Sequence, residues 1–174
     1  MTNLNFTLFI VPAITLLIVI ALYIYFLKRT ENKNLYKKQV IAISVYAFIL
    51  NFIWEVSQGP LFSDYVYDFQ HISFCALASV ADLIMVLLLY FVFSVTLKDP
   101  FWIRNFNLFK VLSLLFIGGA GAILGEWRHL SEGNWSYTES MPVLPIIEVG
   151  LTPLLQFIVL PILIYILANA YTSK

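Results

Sequence analysis

Four acidic residues lie within or at the ends of long apolar runs: Glu55, Asp82, Glu126 and Glu148. Ionisable groups at membrane depth are costly, so they normally face a bundle interior or a cavity. A carboxylic acid surrounded by apolar groups stays neutral and can donate a proton. Aromatic faces nearby can stabilise the positive charge that such a proton creates on a substrate. The chemistry these parts suit is acid-catalysed cyclisation or hydration of a lipophilic molecule.

Polar residues surround these acids at helical spacing. Ser44, Asn51, Glu55 and Gln58 follow one another at intervals that place all four on one helix face, with Trp54 beside Glu55. Asp82 is preceded by Ala78 and Ser79, a small-residue patch that permits close helix approach. Glu148, Thr152 and Gln156 recur every fourth residue and predict a second polar stripe. Glu126 continues a run of small residues, Gly118, Gly121, Ala122 and Gly125, whose G-x-x-x-G spacing predicts tight packing. Arg128, His129 and His71 stand near the same level, and Trp127, Trp135 and Tyr137 supply an aromatic wall. The expected site is a polar pocket with Glu55 and Asp82 as the acid pair and Glu126 and Glu148 next. Asn51, Gln58, Thr152, Gln156, Arg128 and His129 would position the acids or the substrate.

Two segments carry a family resemblance. Asn51-Phe52-Ile53-Trp54-Glu55, an N-x-x-W-E pattern at a helix end, resembles a motif of the small membrane-bound terpene cyclases of meroterpenoid pathways. Residues 133–148, GNWSYTESMPVLPIIE, are similar to a G-x-W-x-Y stretch followed by a proline and an acid in membrane lycopene cyclases, and to a related stretch in carotenoid hydratases. The resemblance implies an isoprenoid substrate, with Glu55 as the terpene-cyclase glutamate working with a distant second acid. It implies that Glu148 is the acid that follows the proline.

The elements that must position these residues are membrane helices. The chain has 174 residues, 61% hydrophobic and 11% charged, with mean hydropathy +0.88. Soluble domains are nearer ~45–50% apolar and ~25% charged. This composition excludes a soluble enzyme and a disordered chain. Ten basic and ten acidic residues cancel, which leaves no basic surface for nucleic acid. Five stretches approach the ~20 residues that cross a bilayer, at about 8–27, 39–58, 74–97, 108–126 and 145–169. The expected fold is therefore an all-α bundle of five transmembrane helices forming a single domain, 1–174. The first stretch lacks a preceding positive charge and a cleavage site, so it reads as a retained helix. It carries only Thr15 as a polar group, with Pro12 near one end, and reads as peripheral.

Charge asymmetry predicts orientation. Lys28, Arg29, Lys33, Lys37, Lys38, Lys98, Arg104, Lys110 and Lys174 fall on one side, and only Arg128 on the other. The positive-inside rule then places the N-terminus outside and the C-terminus in the cytoplasm, as in a bacterial-type inner membrane. The acids lie toward the outer side, beside the aromatic-rich loops 59–73 and 127–144. Pro145 suits a helix start, whereas Pro153 and Pro161 predict kinks. The single cysteine, Cys75, excludes an internal disulfide and reads as a small hydrophobe.

Other readings use the same parts. Glu126-x-x-His129 has the spacing of di-iron carboxylate bundles, but only one such motif is present. Intramembrane acids and a proline-containing helix are parts of transporters, though five spans without a repeat suit a subunit better than a whole transporter. A non-enzymatic lipid-binding, sensor or assembly protein needs only the pocket. No nucleotide-binding, nucleophile-elbow or H-E-x-x-H motif is present. The expected partners are a membrane lipid or lipophilic small molecule, with a homo-oligomer or larger membrane complex open. No soluble cofactor and no metal are implied.

Overall fold

The computed structural model describes residues 10–173. It is built on five helices: α1 (Ile10–Arg29), α2 (Lys33–Gln58), α3 (Phe69–Leu97), α4 (Leu108–Ser131) and α5 (Leu151–Thr172). Each is long and apolar enough to cross a membrane. The protein is thus an all-helical, multipass membrane protein. Residues 8 and 9 of the first expected span, and Lys174, lie outside the described residues.

Helix starts follow local capping chemistry. Asn32, Asp68 and Asn107 each place a side-chain oxygen on a backbone N–H three residues ahead, Leu35 at 3.0 Å, His71 at 2.8 Å and Lys110 at 3.0 Å. These caps extend α2 and α3 further toward the N-terminus than hydropathy alone predicts. Helix α5 behaves differently. The expected start at Pro145 is corrected to Leu151, with Gly150 as its N-cap. A helix running from 145 would set the Pro153 ring against the carbonyl of Val149. Starting at Leu151 puts Pro153 in the first turn, where its missing N–H costs nothing, so Pro153 marks the start and not a kink. Residues 143–150 form instead a small antiparallel hairpin, β1 (Val143–Leu144) with β2 (Val149–Gly150).

Helix α2 is the centre of the bundle, packed on α3 at one side and α5 at the other; α1 rests on α3, and α4 on α5. Helix α1 buries Thr15, Val19 and Phe26, packs Leu22, Tyr23 and Leu27 partly against the core, and leaves much of its remaining apolar surface outward. At the end opposite the acids, Trp102 is fully buried against Tyr90 and Tyr165, and its Nε1 donates to the Tyr90 carbonyl at 3.1 Å. Gln39, also fully buried, donates to the Tyr90 hydroxyl at 2.8 Å and to the Pro100 carbonyl at 2.9 Å. This amide–aromatic plug closes one end of the bundle and leaves the other end to the acids.

The face of α4 that meets α5 is Leu114, Gly118, Gly119, Ala122 and Glu126. Pro161 lies inside α5 and cannot donate to the Phe157 carbonyl. That carbonyl packs against Gly118, where any side chain would strike it. Gly121 and Gly125 have nothing within 4 Å of an added Cβ. The tight packing predicted from their G-x-x-x-G spacing is therefore corrected: among the described residues α4 packs chiefly on α5, its contact stripe is narrow, and these two glycines fall beyond its edge.

Candidate functional site

Three helices bring their polar residues to one point. From α2 come Asn51, Glu55 and Gln58, from α3 Asp82, and from α5 Gln156. Asn51, Gln58 and Gln156 are buried, at 1%, 6% and 2% exposure, whereas Glu55 and Asp82 are half-buried. The Gln156 Nε2 donates to Glu55 Oε1 at 2.9 Å, to Asp82 Oδ2 at 3.0 Å and to Asn51 Oδ1 at 3.0 Å. Its Oε1 accepts from Gln58 Nε2 at 2.9 Å, and Gln58 Nε2 also reaches Glu55 Oε1 at 3.0 Å. Asn51 donates to the Ala47 carbonyl one turn back at 2.8 Å, which turns its oxygen toward Gln156. Ser44, deeper in the α2 stripe, bonds within its own helix to Val40 and takes no part.

Glu126, on α4, is a separate, buried acid. It accepts from Trp135 Nε1 at 3.3 Å and from the Tyr137 hydroxyl. Tyr137 in turn accepts from the Gly150 N–H at 3.1 Å. Burial, and after it the bond to Glu126, pushes the Tyr137 hydroxyl above its usual range, so it remains a donor. One carboxylate thus ties α4 to the hairpin that precedes α5.

The two long loops pair over this end of the bundle. Ser63 N–H donates to the Ser136 carbonyl and Thr138 N–H to the Leu61 carbonyl, both at 2.9 Å. The Phe62 ring meets Trp135 and Tyr137 edge-on. Tyr65 lies over Gly59, where a Cβ would collide with its ring. Burial raises the Tyr65 hydroxyl to about 12. Sequence reasoning missed this loop pairing; alternating residues at 61–63 and 136–138 are too short a signal to reveal it.

The remaining expected residues lie elsewhere. Glu148 is exposed, in a left-handed conformation (φ 54°) at the hairpin turn, so the predicted Glu148–Thr152–Gln156 stripe is corrected to Gln156 and Thr152 alone. Thr152 accepts from Trp54 Nε1 at 3.3 Å through its carbonyl, and its hydroxyl meets the Met141 sulfur at 3.4 Å. Trp127 donates to the Ile147 carbonyl at 2.6 Å and anchors the hairpin. Arg128 pairs with Glu132 at 2.9 Å on the surface, which holds the Glu132 carboxyl below its usual range. His129 meets Asn134 Nδ2 at 3.0 Å and stacks on Trp135 at 4.2 Å. His71 pairs with Asp68 at 2.8 Å, at the start of α3. Neither of these two ion pairs involves Glu55, Asp82 or Glu126. Among the described residues, no three His, Cys, Asp or Glu side chains are placed to share a metal. Glu126 and His129 both meet Trp135, but their remaining hydrogen bonds go to Tyr137 and Asn134 respectively.

Chemically, the centre is a pair of carboxyls on two helices joined by the amide of a third. An amide N–H stabilises a carboxylate as its charge develops. The Gln58 and Gln156 amides hold Oε1 of Glu55, and Gln156 holds Oδ2 of Asp82. Comparison with protein-family models, curated proteins and solved structures returns no match.

Proposed function

We propose that the Glu55–Asp82 centre performs general-acid chemistry on a lipophilic, isoprenoid-type substrate that enters from the membrane. The observation that carries this reading is the Gln156 amide, which reaches Glu55 and Asp82 from α5 at 2.9 and 3.0 Å, with no basic side chain among the described residues paired to either acid. The N-x-x-W-E resemblance around Glu55 agrees with it. In this scheme Asp82 gives its proton to a substrate alkene carbon, forming a C–H bond and leaving a carbocation on the substrate. The new carboxylate is stabilised by the Gln156 N–H. The cation closes a ring and loses a proton to Glu55, or takes up water and releases its proton there. Proton return from Glu55 to Asp82 completes the cycle.

The orientation belongs to the same proposal. Lys28, Arg29 and Lys33 at the α1–α2 turn, and Lys98, Arg104 and Lys110 around the α3–α4 link, mark the cytoplasmic end. The acid centre then opens toward the outer side.

The test is turnover of polyprenyl hydrocarbons and alcohols by protein in lipid nanodiscs, read by mass spectrometry. General-acid removal costs ~10²–10⁴-fold in rate. Wild-type protein should form a cyclised or hydrated product, and Asp82→Asn should lose that rate by at least the lower figure. Identical product profiles for the two proteins would sink the proposal. A non-enzymatic lipid-binding role is the second reading. It is favoured by Glu126, whose bonds to Tyr137 and Trp135 commit one of the acids to holding the structure together. In that case Glu55→Gln would change lipid retention and no product would form.

A further inference from the structure

The acid–amide centre has too few donors for its acceptors. Each glutamine amide nitrogen carries two hydrogens. Gln156 Nε2 already faces three acceptors, and Gln58 Nε2 faces two. Those bonds engage Oε1 of Glu55 and Oδ2 of Asp82. The second oxygen of each acid has no hydrogen-bond partner among the described residues. The Gln58 Oε1 is buried and likewise has no partner among the described residues, and Gln58 itself is only 6% exposed. Its terminal amide sits inside the cluster, held by Glu55 on one side and Gln156 on the other. Exchanging its nitrogen and oxygen would set an oxygen against two other oxygens, so the orientation is fixed by its neighbours. A buried acceptor left unpaired destabilises the folded state. The centre is therefore built to receive donors, and the two carboxyls favour donors that bring positive charge.

We infer that this centre binds a primary ammonium group carried on an apolar chain, its three N–H bonds meeting Gln58 Oε1 and the second oxygens of Glu55 and Asp82. The chain would lie against the apolar surface of the bundle, which Glu55 and Asp82 reach because they are only half-buried. A quaternary ammonium supplies the charge but no N–H, and leaves Gln58 Oε1 unpaired. An alcohol supplies one donor and no charge. The inference rests on the reading of Glu55 and Asp82 as a ligand site. It adds the ligand's head group: an ammonium held between carboxylates has the charge arrangement that follows proton transfer to a substrate.

Dodecylammonium, dodecyltrimethylammonium and 1-dodecanol separate these features at equal chain length. Each is titrated into the full-length protein in neutral-lipid nanodiscs, with intrinsic tryptophan fluorescence and thermal midpoint as readouts. The expected result is about tenfold tighter binding of dodecylammonium than of either other probe, as one unpaired buried acceptor implies. Gln58→Leu should remove most of the advantage over the trimethyl probe, and Asp82→Asn most of the advantage over the alcohol. Both proteins should keep wild-type helicity by circular dichroism; if a variant does not, the three-probe comparison on the wild type still decides. Equal affinities for all three probes would overturn the inference, as would an Asp82-dependent preference for the alcohol. Absence of binding together with persisting acid-catalysed turnover would overturn the inference alone. Absence of both would overturn it together with the proposed function.

Discussion

Gln156 on α5 donates to Asp82 on α3 at 3.0 Å, although the α3 and α5 backbones approach each other less closely than either approaches α2. The long glutamine side chain spans the gap that α2 leaves between them. Gln156→Leu would remove that bridge while keeping a similar volume. It would strip donors from Glu55, Asp82 and Asn51 together, and each buried group left unpaired costs ~1–3 kcal/mol. The expected outcome is a thermal midpoint in detergent clearly below wild type, with turnover lost as well. Gln156→Glu should do worse, because it adds a third carboxyl where a donor stood.

The glycines of α4 divide into two kinds. Gly118→Leu should destabilise by ~1–3 kcal/mol, since the atom in its way is the Phe157 backbone carbonyl, which cannot rotate aside. Gly121→Ala should be neutral or stabilising, because it meets nothing and alanine favours helix by about 1 kcal/mol. Thermal unfolding of the two variants side by side checks the contrast. Equal losses would mean that α4 packs on a different face.

Tyr137→Phe should loosen the loops without disturbing the helices. It removes the donor to Glu126 and the acceptor for the Gly150 N–H. Limited proteolysis should then cut within 132–148 faster than in wild type. Trp127, through its bond to Ile147, should still hold the hairpin to α4. Unchanged cleavage would show that the Phe62–Trp135 contact alone suffices.

The cap of α3 responds to acid. Asp68 is held below its usual range, first by the His71 backbone N–H and then by the His71 ring. A carboxyl whose folded value is depressed stabilises the fold fully above its unfolded value. That contribution disappears as pH falls through the folded value. Amide exchange at residues 70–73 should therefore quicken, beyond its intrinsic rate, only below the ordinary aspartate range. Asp68→Asn should abolish the pH dependence there while keeping most of the cap.

The five helices are legible in the sequence because hydropathy alone marks them. The α2 polar face is legible for a second reason: Asn51, Glu55 and Gln58 recur at helical intervals, and the structure turns that face toward α5. Helix edges are less legible, because the Asn32 and Asp68 caps act on backbone N–H groups and leave little trace in hydropathy. Glu148 shows how spacing misleads. Its fourfold interval to Thr152 has meaning only inside a continuous helix, and Pro153 prevents one from beginning early enough. The loop pairing of 61–63 with 136–138 joins segments far apart in sequence, and so does the Gln39–Tyr90–Trp102 plug. Neither has a local signature. The role of Glu126 also depended on a distant partner, since its bond to Tyr137 forms only once the loop folds back.

The arrangement of α2 between α3 and α5 has a consequence for biosynthesis. Asn51, Glu55 and Gln58 leave the ribosome about 100 residues ahead of Gln156, and the amide that joins them to Asp82 arrives only with α5. Until then α2 and α3 must wait in the bilayer, or at its insertion machinery, with polar side chains facing the place α5 will take. Helix α4, which docks on α5, must wait beside them. Insertion of α5 thus completes the polar centre and the bundle in one event. A nascent chain stalled before it would display unsatisfied acids within the membrane, a feature by which quality-control proteases can tell an unfinished molecule from a finished one.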